Sequence, residues 1–254
     1  QTLIANQYYV ISFVSVQSSL AMYPIYKYGS EEQKTQYLSG LGSGEIVGCF
    51  ALTEGQGGSD PDSMQSTVRR EGDTFVLNGS KMWITNGTIS DIAIVWAKNQ
   101  ETSEVMGFIV PTNIPGFTVN PILRKMSLRI SDTAEISMDN VRIPTGLLLP
   151  EAVGLRAALS CLTQARYGIS WGAMGALESV YNEALDFSLG RSTFNKPIAG
   201  RQLIQDKLAR MVADHTKGLL MAWRLGKLKD DSRMTFRQVS LAKRENVRSA
   251  LNGA

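Results

Sequence analysis

The chain has 254 residues, 43% hydrophobic and 19% charged, enough for a sizeable core and the composition of a globular protein rather than a disordered or fibrous one. A net charge of +3, with Lys and Arg lying mostly in the C-terminal half but in no dense run, argues against a nucleic-acid partner. No apolar run approaches the roughly 18 residues of a membrane span, and no secretory leader is read.

Residues 1–45 read as helical. Gln1 to Met22 carries apolar positions throughout, with small serines at Ser12, Ser15, Ser18 and Ser19 that suit close packing. Ser30 is a good N-cap and Gln33 can close a capping box; Gly42-Ser43-Gly44 ends the region.

From 46 to 150 the periodicity shortens. Phe75-Val76-Leu77, Ile92 to Ala97, Met106 to Val110, Phe117-Thr118-Val119 and Ala134 to Met138 are short β-rich runs. Turns are read at Glu71-Gly72-Asp73, Pro115-Gly116 and Asp139-Asn140. No helix-length pattern separates the runs, so a compact antiparallel β-domain is expected and a βαβ arrangement is not. No Gly-x-Gly-x-x-Gly fingerprint appears either.

Two stretches of this region carry the chemistry. Leu52 to Asp60 sets Gly55, Gly57 and Gly58 among hydroxyls and carboxylates, which suits a backbone that approaches a polar ligand and offers its amides. Lys81-Met82-Trp83-Ile84-Thr85-Asn86 places an indole at a strand end with small polar side chains after it, a flat wall with a hydrogen-bonding rim. Each alone is more often a hairpin connection or a core residue.

From 151 to 254 the pattern is helical. Leu155, Leu159, Leu162, Ile169, Met174, Leu177 and Val180 keep helical spacing on one long element, a second runs from Leu203 to Leu228, and Thr235 can cap a third. Cys49 and Cys161, far apart and outside any metal-ligand spacing, read as buried free thiols. The single histidine, His215, reads as an ordinary helix residue, which leaves His-based catalysis almost without material. The chain does not begin with Met and ends inside a helical pattern, so truncation at both ends is expected.

The two chemical stretches resemble the flavin-binding signatures of the acyl-CoA dehydrogenase family, A-L-T-E-x-x-x-G-S-D followed by K-x-W-I-T-N. The order of helices, β-domain and helices is similar to that family's α+β fold, with an N-terminal helical domain, a middle antiparallel β-domain and a C-terminal helical bundle. Ser15-Val16-Gln17-Ser18-Ser19-Leu20, Tyr28 to Gln33, Ala165 to Ile169 and Gln202 to Gln205 resemble most the branch holding glutaryl-CoA dehydrogenases and short-chain acyl-CoA oxidases.

The resemblance implies α,β-desaturation of an acyl-CoA with FAD as cofactor. It assigns Phe50, Leu52, Thr53, Gly58, Ser59, Trp83, Ile84 and Thr85 to the flavin ring, with Trp83 over a ring face and Thr85 near N5. Arg191 to Ile198 resembles R-x-x-F-G-x-P-I, so Arg191, Phe194 and Gln202 are implied at the adenosine diphosphate part of an FAD held by another subunit of a homo-oligomer, a dimer or tetramer. Ser12, Ser59, Leu159, Leu162, Thr163 and Arg166 are implied at the substrate; electron-transferring flavoprotein is the implied acceptor. The implied location is intracellular and soluble: the cytoplasm of a bacterium, or the mitochondrial matrix or peroxisome of a eukaryote.

Four departures bear on this. Gly55 stands where the family commonly has Pro, which predicts a looser turn, and Asn195 replaces Gly. Ala165 closes one family position for the catalytic Glu; the other falls after Ala254, so no base is named in the chain. Ile11 stands where an Arg binds the distal carboxylate of glutaryl-CoA, which predicts preference for a monocarboxylic short or medium acyl chain. An oxidase using oxygen, and a non-catalytic flavin- or acyl-CoA-binding relative, are the alternatives.

Overall fold

The computed structural model describes residues 12–254, so Ile11 and the first half of the expected helical stretch from Gln1 to Met22 lie outside the described residues. Two compact units divide between Leu162 and Thr163.

In the first unit, α-helical residues 12–15 lead into helix α1 (Val16–Met22), wound as a π-helix, in which Tyr23 N donates five residues back to Ser18 O. Pro24, in the first turn of α2 (Tyr23–Tyr28), has no N–H to offer the Leu20 carbonyl four residues back, which suits a wider winding there. Helix α3 (Glu31–Ser43) starts on the expected capping box, Gln33 N to Ser30 Oγ at 3.3 Å and Ser30 N to Gln33 Oε1 at 3.0 Å, and stops at Gly44 in the left-handed region.

Eight strands follow: β1 (Gly48–Ala51), β2 (Thr67–Glu71), β3 (Thr74–Thr85), β4 (Ile92–Asn99), β5 (Val105–Pro111), β6 (Phe117–Pro121), β7 (Thr133–Pro144) and β8 (Leu148–Val153). They form one sheet in the order β6-β7-β3-β2-β4-β5-β8, with β1 also on β4. The pairing is mostly antiparallel, but β1 and β2 both lie parallel to β4, which corrects the purely antiparallel expectation. Each is joined to β4 through β3, and that intervening strand lets the chain return in the same direction.

The strands β1, β4 and β5 are apolar and buried on both faces. Phe50, Ile92, Ile94 and Trp96 pack with Ala21, Ile25 and Leu41 of the helices, whereas Cys49, Ala51, Ala93 and Val95 pack with Phe75, Phe108 and Ile136. Burial on both sides explains why the sequence shows continuous apolar runs instead of alternation.

Asp139-Asn140 is not the expected turn. It lies within β7, where the register between Leu77↔Val141 and Gly79↔Met138 takes in one extra residue. Asn140 sits at φ 50° and its N–H is held by Asn78 Oδ1 at 2.9 Å, so this is a β-bulge whose turn-forming residue type was legible and whose context was not. Nor does the chain turn helical directly after Pro150, since β8 carries that proline on an edge of the sheet.

Helix α4 (Gly154–Gly190) is the long element expected. In the second unit a two-stranded hairpin, β9 (Ser192–Thr193) and β10 (Lys196–Pro197), precedes α5 (Gln202–Asp230) and α6 (Phe236–Gly253). Thr235 caps α6 in a full capping box with Gln238. Met174, Leu177 and Met211 form one core, and Leu225, Val239 and Ala242 another. The buried Asn246 amide ties the three helices by donating to Ser170 O at 2.8 Å and Gly218 O at 3.1 Å. Cys49 and Cys161 are buried free thiols, which burial pushes up to about 12, and among the described residues no His, Cys, Asp and Glu group could hold a metal. No described helix is long and apolar enough to cross a membrane.

Candidate functional site

The first unit contains a cleft of about 180 Å³ lined by Val16, Leu20, Phe50, Leu52, Thr53, Gly58, Pro61, Trp83, Ile84, Thr85 and Leu162. A pocket that encloses a whole ligand spans roughly 300–1,000 Å³, so this is a partial wall with an open side.

Both chemical stretches meet on it. β1 brings Phe50, and the chain leaves the sheet at Leu52, so Leu52, Thr53 and Gly58 lie at the strand's exit. β3 brings Trp83, Ile84 and Thr85. The indole reaches the cleft through a second bulge: between Lys81↔Ile136 and Ile84↔Ala134, β3 spends one extra residue, and Trp83 takes φ 64°. A non-Gly residue in the left-handed region is uncommon and strained, and it is tolerated where the surroundings over-determine it. The bulge turns the side chain outward; Trp83 is 59% exposed while its neighbours Lys81 and Ile84 are buried.

The two stretches are bonded to each other. Met82 N donates to Thr53 O at 2.8 Å. Lys81 Nζ donates to Leu52 O at 3.2 Å and pairs with Glu54 at 2.7 Å. Glu54 also accepts from Gln56 Nε2, Gln65 N and Ser66 N. Burial pushes the Glu54 carboxyl up, but the Gln65 amide, Lys81 and Ser66 outweigh it and hold it down at about 2. Burial draws the Lys81 ammonium below its ordinary value, against the pull of Glu54.

Of the remaining sequence candidates, Ser59 is exposed beside Gly58 and is not among the lining residues. Ser12 Oγ lies 3.2 Å from Ser131 Oγ. Leu159 is on α4 and 40% exposed. Thr163 and Arg166 are on α4 within the second unit, as are Arg191, Phe194 and Gln202 around the hairpin. Phe194 and Asn195 form the hairpin turn with φ 52° and 58°, and Phe194 is 92% exposed. Two positive φ values make a primed turn, and Asn is the side chain that best tolerates the position a glycine would otherwise hold.

Sequence reasoning missed Val16, Leu20 and Pro61 in the cleft and the Glu54–Lys81 pair beneath it. Val16 and Leu20 come from the π-wound α1, whose winding no periodicity reports. The pair had a signal, two opposite charges inside otherwise buried stretches.

Family profiles for the acyl-CoA dehydrogenase N-terminal, middle and C-terminal domains match residues 3–45, 49–141 and 152–252. The chain belongs to the acyl-CoA dehydrogenase family. Human mitochondrial short-chain specific acyl-CoA dehydrogenase is 36% identical over 234 residues, 91% of this chain and 57% of the human protein. An acyl-CoA dehydrogenase of Bacillus subtilis (strain 168) is 41% identical over 202 residues, covering 78% of this chain and 53% of that protein. A glutaryl-CoA dehydrogenase from Mycobacterium smegmatis, solved in complex with FADH2, superposes with a TM-score of 0.92 at 49% identity, over 94% of this chain and 62% of that one. The chain thus spans little more than half the length of the curated relatives it matches.

The cleft's donor set fits the flavin that family membership implies. Phe50, Leu52, Ile84, Leu162 and the Trp83 indole offer apolar surface for a planar ring, and the Thr53 and Thr85 hydroxyls offer a polar rim. At Gly58 a built Cβ meets nothing within 4 Å, so the backbone is open for close approach from the cleft side.

Proposed function

We propose that the protein is an FAD-dependent acyl-CoA dehydrogenase that desaturates an acyl-CoA thioester between its α and β carbons. One observation carries the reading: the Thr53–Gly58 turn and the Trp83–Thr85 bulge, two stretches well separated in sequence, form one cleft wall bonded through Met82 N and Thr53 O. The flavin supplies hydride acceptance when bound. The chain's own residues bind and orient: Trp83 and Leu52 supply apolar faces, and Thr53 and Thr85 supply hydroxyls where negative charge develops on reduction. No carboxylate is among the cleft-lining residues, and the base is assigned to no residue of this chain.

The substrate we assign is a monocarboxylic short or medium acyl-CoA. The matched relatives include both short-chain and glutaryl-CoA enzymes. What supports the monocarboxylic reading is residue 11 of the sequence, because the isoleucine found at the position where the resemblance implies an arginine cannot pair a buried distal carboxylate. Arg191, Phe194 and Gln202 are assigned to the adenosine diphosphate portion of FAD in a homo-oligomer that shares sites between subunits. The electron acceptor is assigned as an electron-transferring flavoprotein.

The test is spectroscopic. The purified protein is expected to be yellow, and its visible flavin band to bleach anaerobically with butyryl-CoA but not with glutaryl-CoA. Colourless protein that takes up no added FAD overturns the reading, and efficient glutaryl-CoA oxidation with carbon dioxide release overturns the substrate assignment.

A further inference from the structure

The strongest feature that the cleft's chemistry leaves unexplained lies behind its wall. Glu54 and Lys81 are 3% and 0% exposed at their side chains and 2.7 Å apart. Every donor that meets the Glu54 carboxylate comes from the ends of the segment between β1 and β2 or from β3: Gln56, Gln65 N, Ser66 N and Lys81. The loop therefore closes on one side chain. Lys81 in turn holds the Leu52 carbonyl. Thr53 immediately precedes Glu54 and Trp83 follows Lys81 by two residues, so each charge sits at the root of one cleft wall.

Taking two charges out of water is costly, and an apolar pair of similar volume often serves stability as well or better. What an apolar pair cannot do is fix direction, and here direction matters because β3 already carries an extra residue that could slip. We infer that Glu54 and Lys81 are positioning residues for the flavin: their ion pair sets the register between the β1 turn and the Trp83 bulge, keeping the two walls at a fixed separation above a floor of zero net charge. This rests on the flavin reading of the cleft.

Opposite single replacements give opposite electrostatic results. Glu54→Gln leaves a buried ammonium, which favours the electron-rich reduced flavin; Lys81→Met leaves a carboxylate, which disfavours it. In the intact protein, reconstituted with FAD, the oxidised-to-reduced ratio at fixed potential is expected to move about tenfold in opposite directions in the two variants, about 30 mV for a two-electron couple. The double variant Glu54→Gln/Lys81→Met returns the potential to the wild-type value. It still binds FAD about tenfold more weakly, because the register is no longer held, while circular dichroism shows the fold intact.

Shifts of the same sign in both single variants, or wild-type FAD affinity in the double variant, overturn the inference. Should the singles fail to fold, the double variant, which leaves no unpaired charge, decides by its affinity alone. Wild-type protein that binds no FAD is a separate result: it removes the flavin reading and this inference together.

Discussion

Glu54 shows how a residue can be plain in the sequence while its work is not. It stands in a recognisable signature, yet its partner lies 27 positions away and the two meet only because the chain leaves β1 alongside the stretch of β3 that carries Lys81. The pairing has a consequence for pH. Folding holds the carboxyl at about 2 against an ordinary 4.5. A group whose pKa is depressed on folding contributes stability above its unfolded value and loses it as pH falls toward the folded one, so the window runs from 4.5 down to about 2. At about 1.4 kcal/mol per unit the contribution is roughly 3 kcal/mol. Urea unfolding at about pH 5 and about pH 3 is expected to show wild type losing stability more steeply than Glu54→Gln, by about 2 kcal/mol, the part of the window that lies above pH 3. Equal slopes in the two proteins would show that the fold does not hold the Glu54 carboxyl down.

The elements that were legible are those whose signals are local. Ser30 with Gln33, and Thr235 at the start of α6, are capping residues whose bonds close within three positions. β1, β2 and β8 were not legible for distinct reasons: Gly-Cys-Phe-Ala has no β-branched residue, Thr67–Glu71 is mostly polar, and Leu148–Val153 contains a proline. The Gly55 turn sits between these cases. The sequence predicts a looser turn, and the turn closes with Gly57 N on Glu54 O at 3.1 Å, which makes Gly55 its second position, the one proline favours. Gly55 is not among the glycines with positive φ, and a Cβ there meets nothing within 4 Å. Gly55→Pro is therefore expected to stabilise the protein by about 0.4–1 kcal/mol through the unfolded chain, with FAD affinity unchanged or improved. A drop in melting temperature in calorimetry would show that the turn needs glycine after all.

At the scale of the molecule, the first unit holds the cleft proposed for the ring end of the cofactor, while the stretch proposed for its pyrophosphate lies in the second. The hairpin that bears it is built for exposure: Arg191 is exposed, and Phe194 is held in the left-handed region, 92% exposed, with the Arg201 guanidinium 5.8 Å from the ring centroid. An aromatic residue strained in this way and left uncovered by its own core suits a surface completed by something else. If that is FAD held by a second subunit, Arg191→Ala removes a charged hydrogen bond to pyrophosphate of about 1.5–3 kcal/mol, roughly a ten- to hundredfold loss of FAD affinity. On that proposal of a shared site, flavin occupancy also falls on dilution in step with dissociation of the oligomer, and Arg191→Ala steepens that fall. Size-exclusion chromatography with simultaneous protein and flavin absorbance reads both. Monomer that keeps its flavin, or Arg191→Ala that binds FAD as the wild type does, places the whole cofactor within one subunit and away from the hairpin.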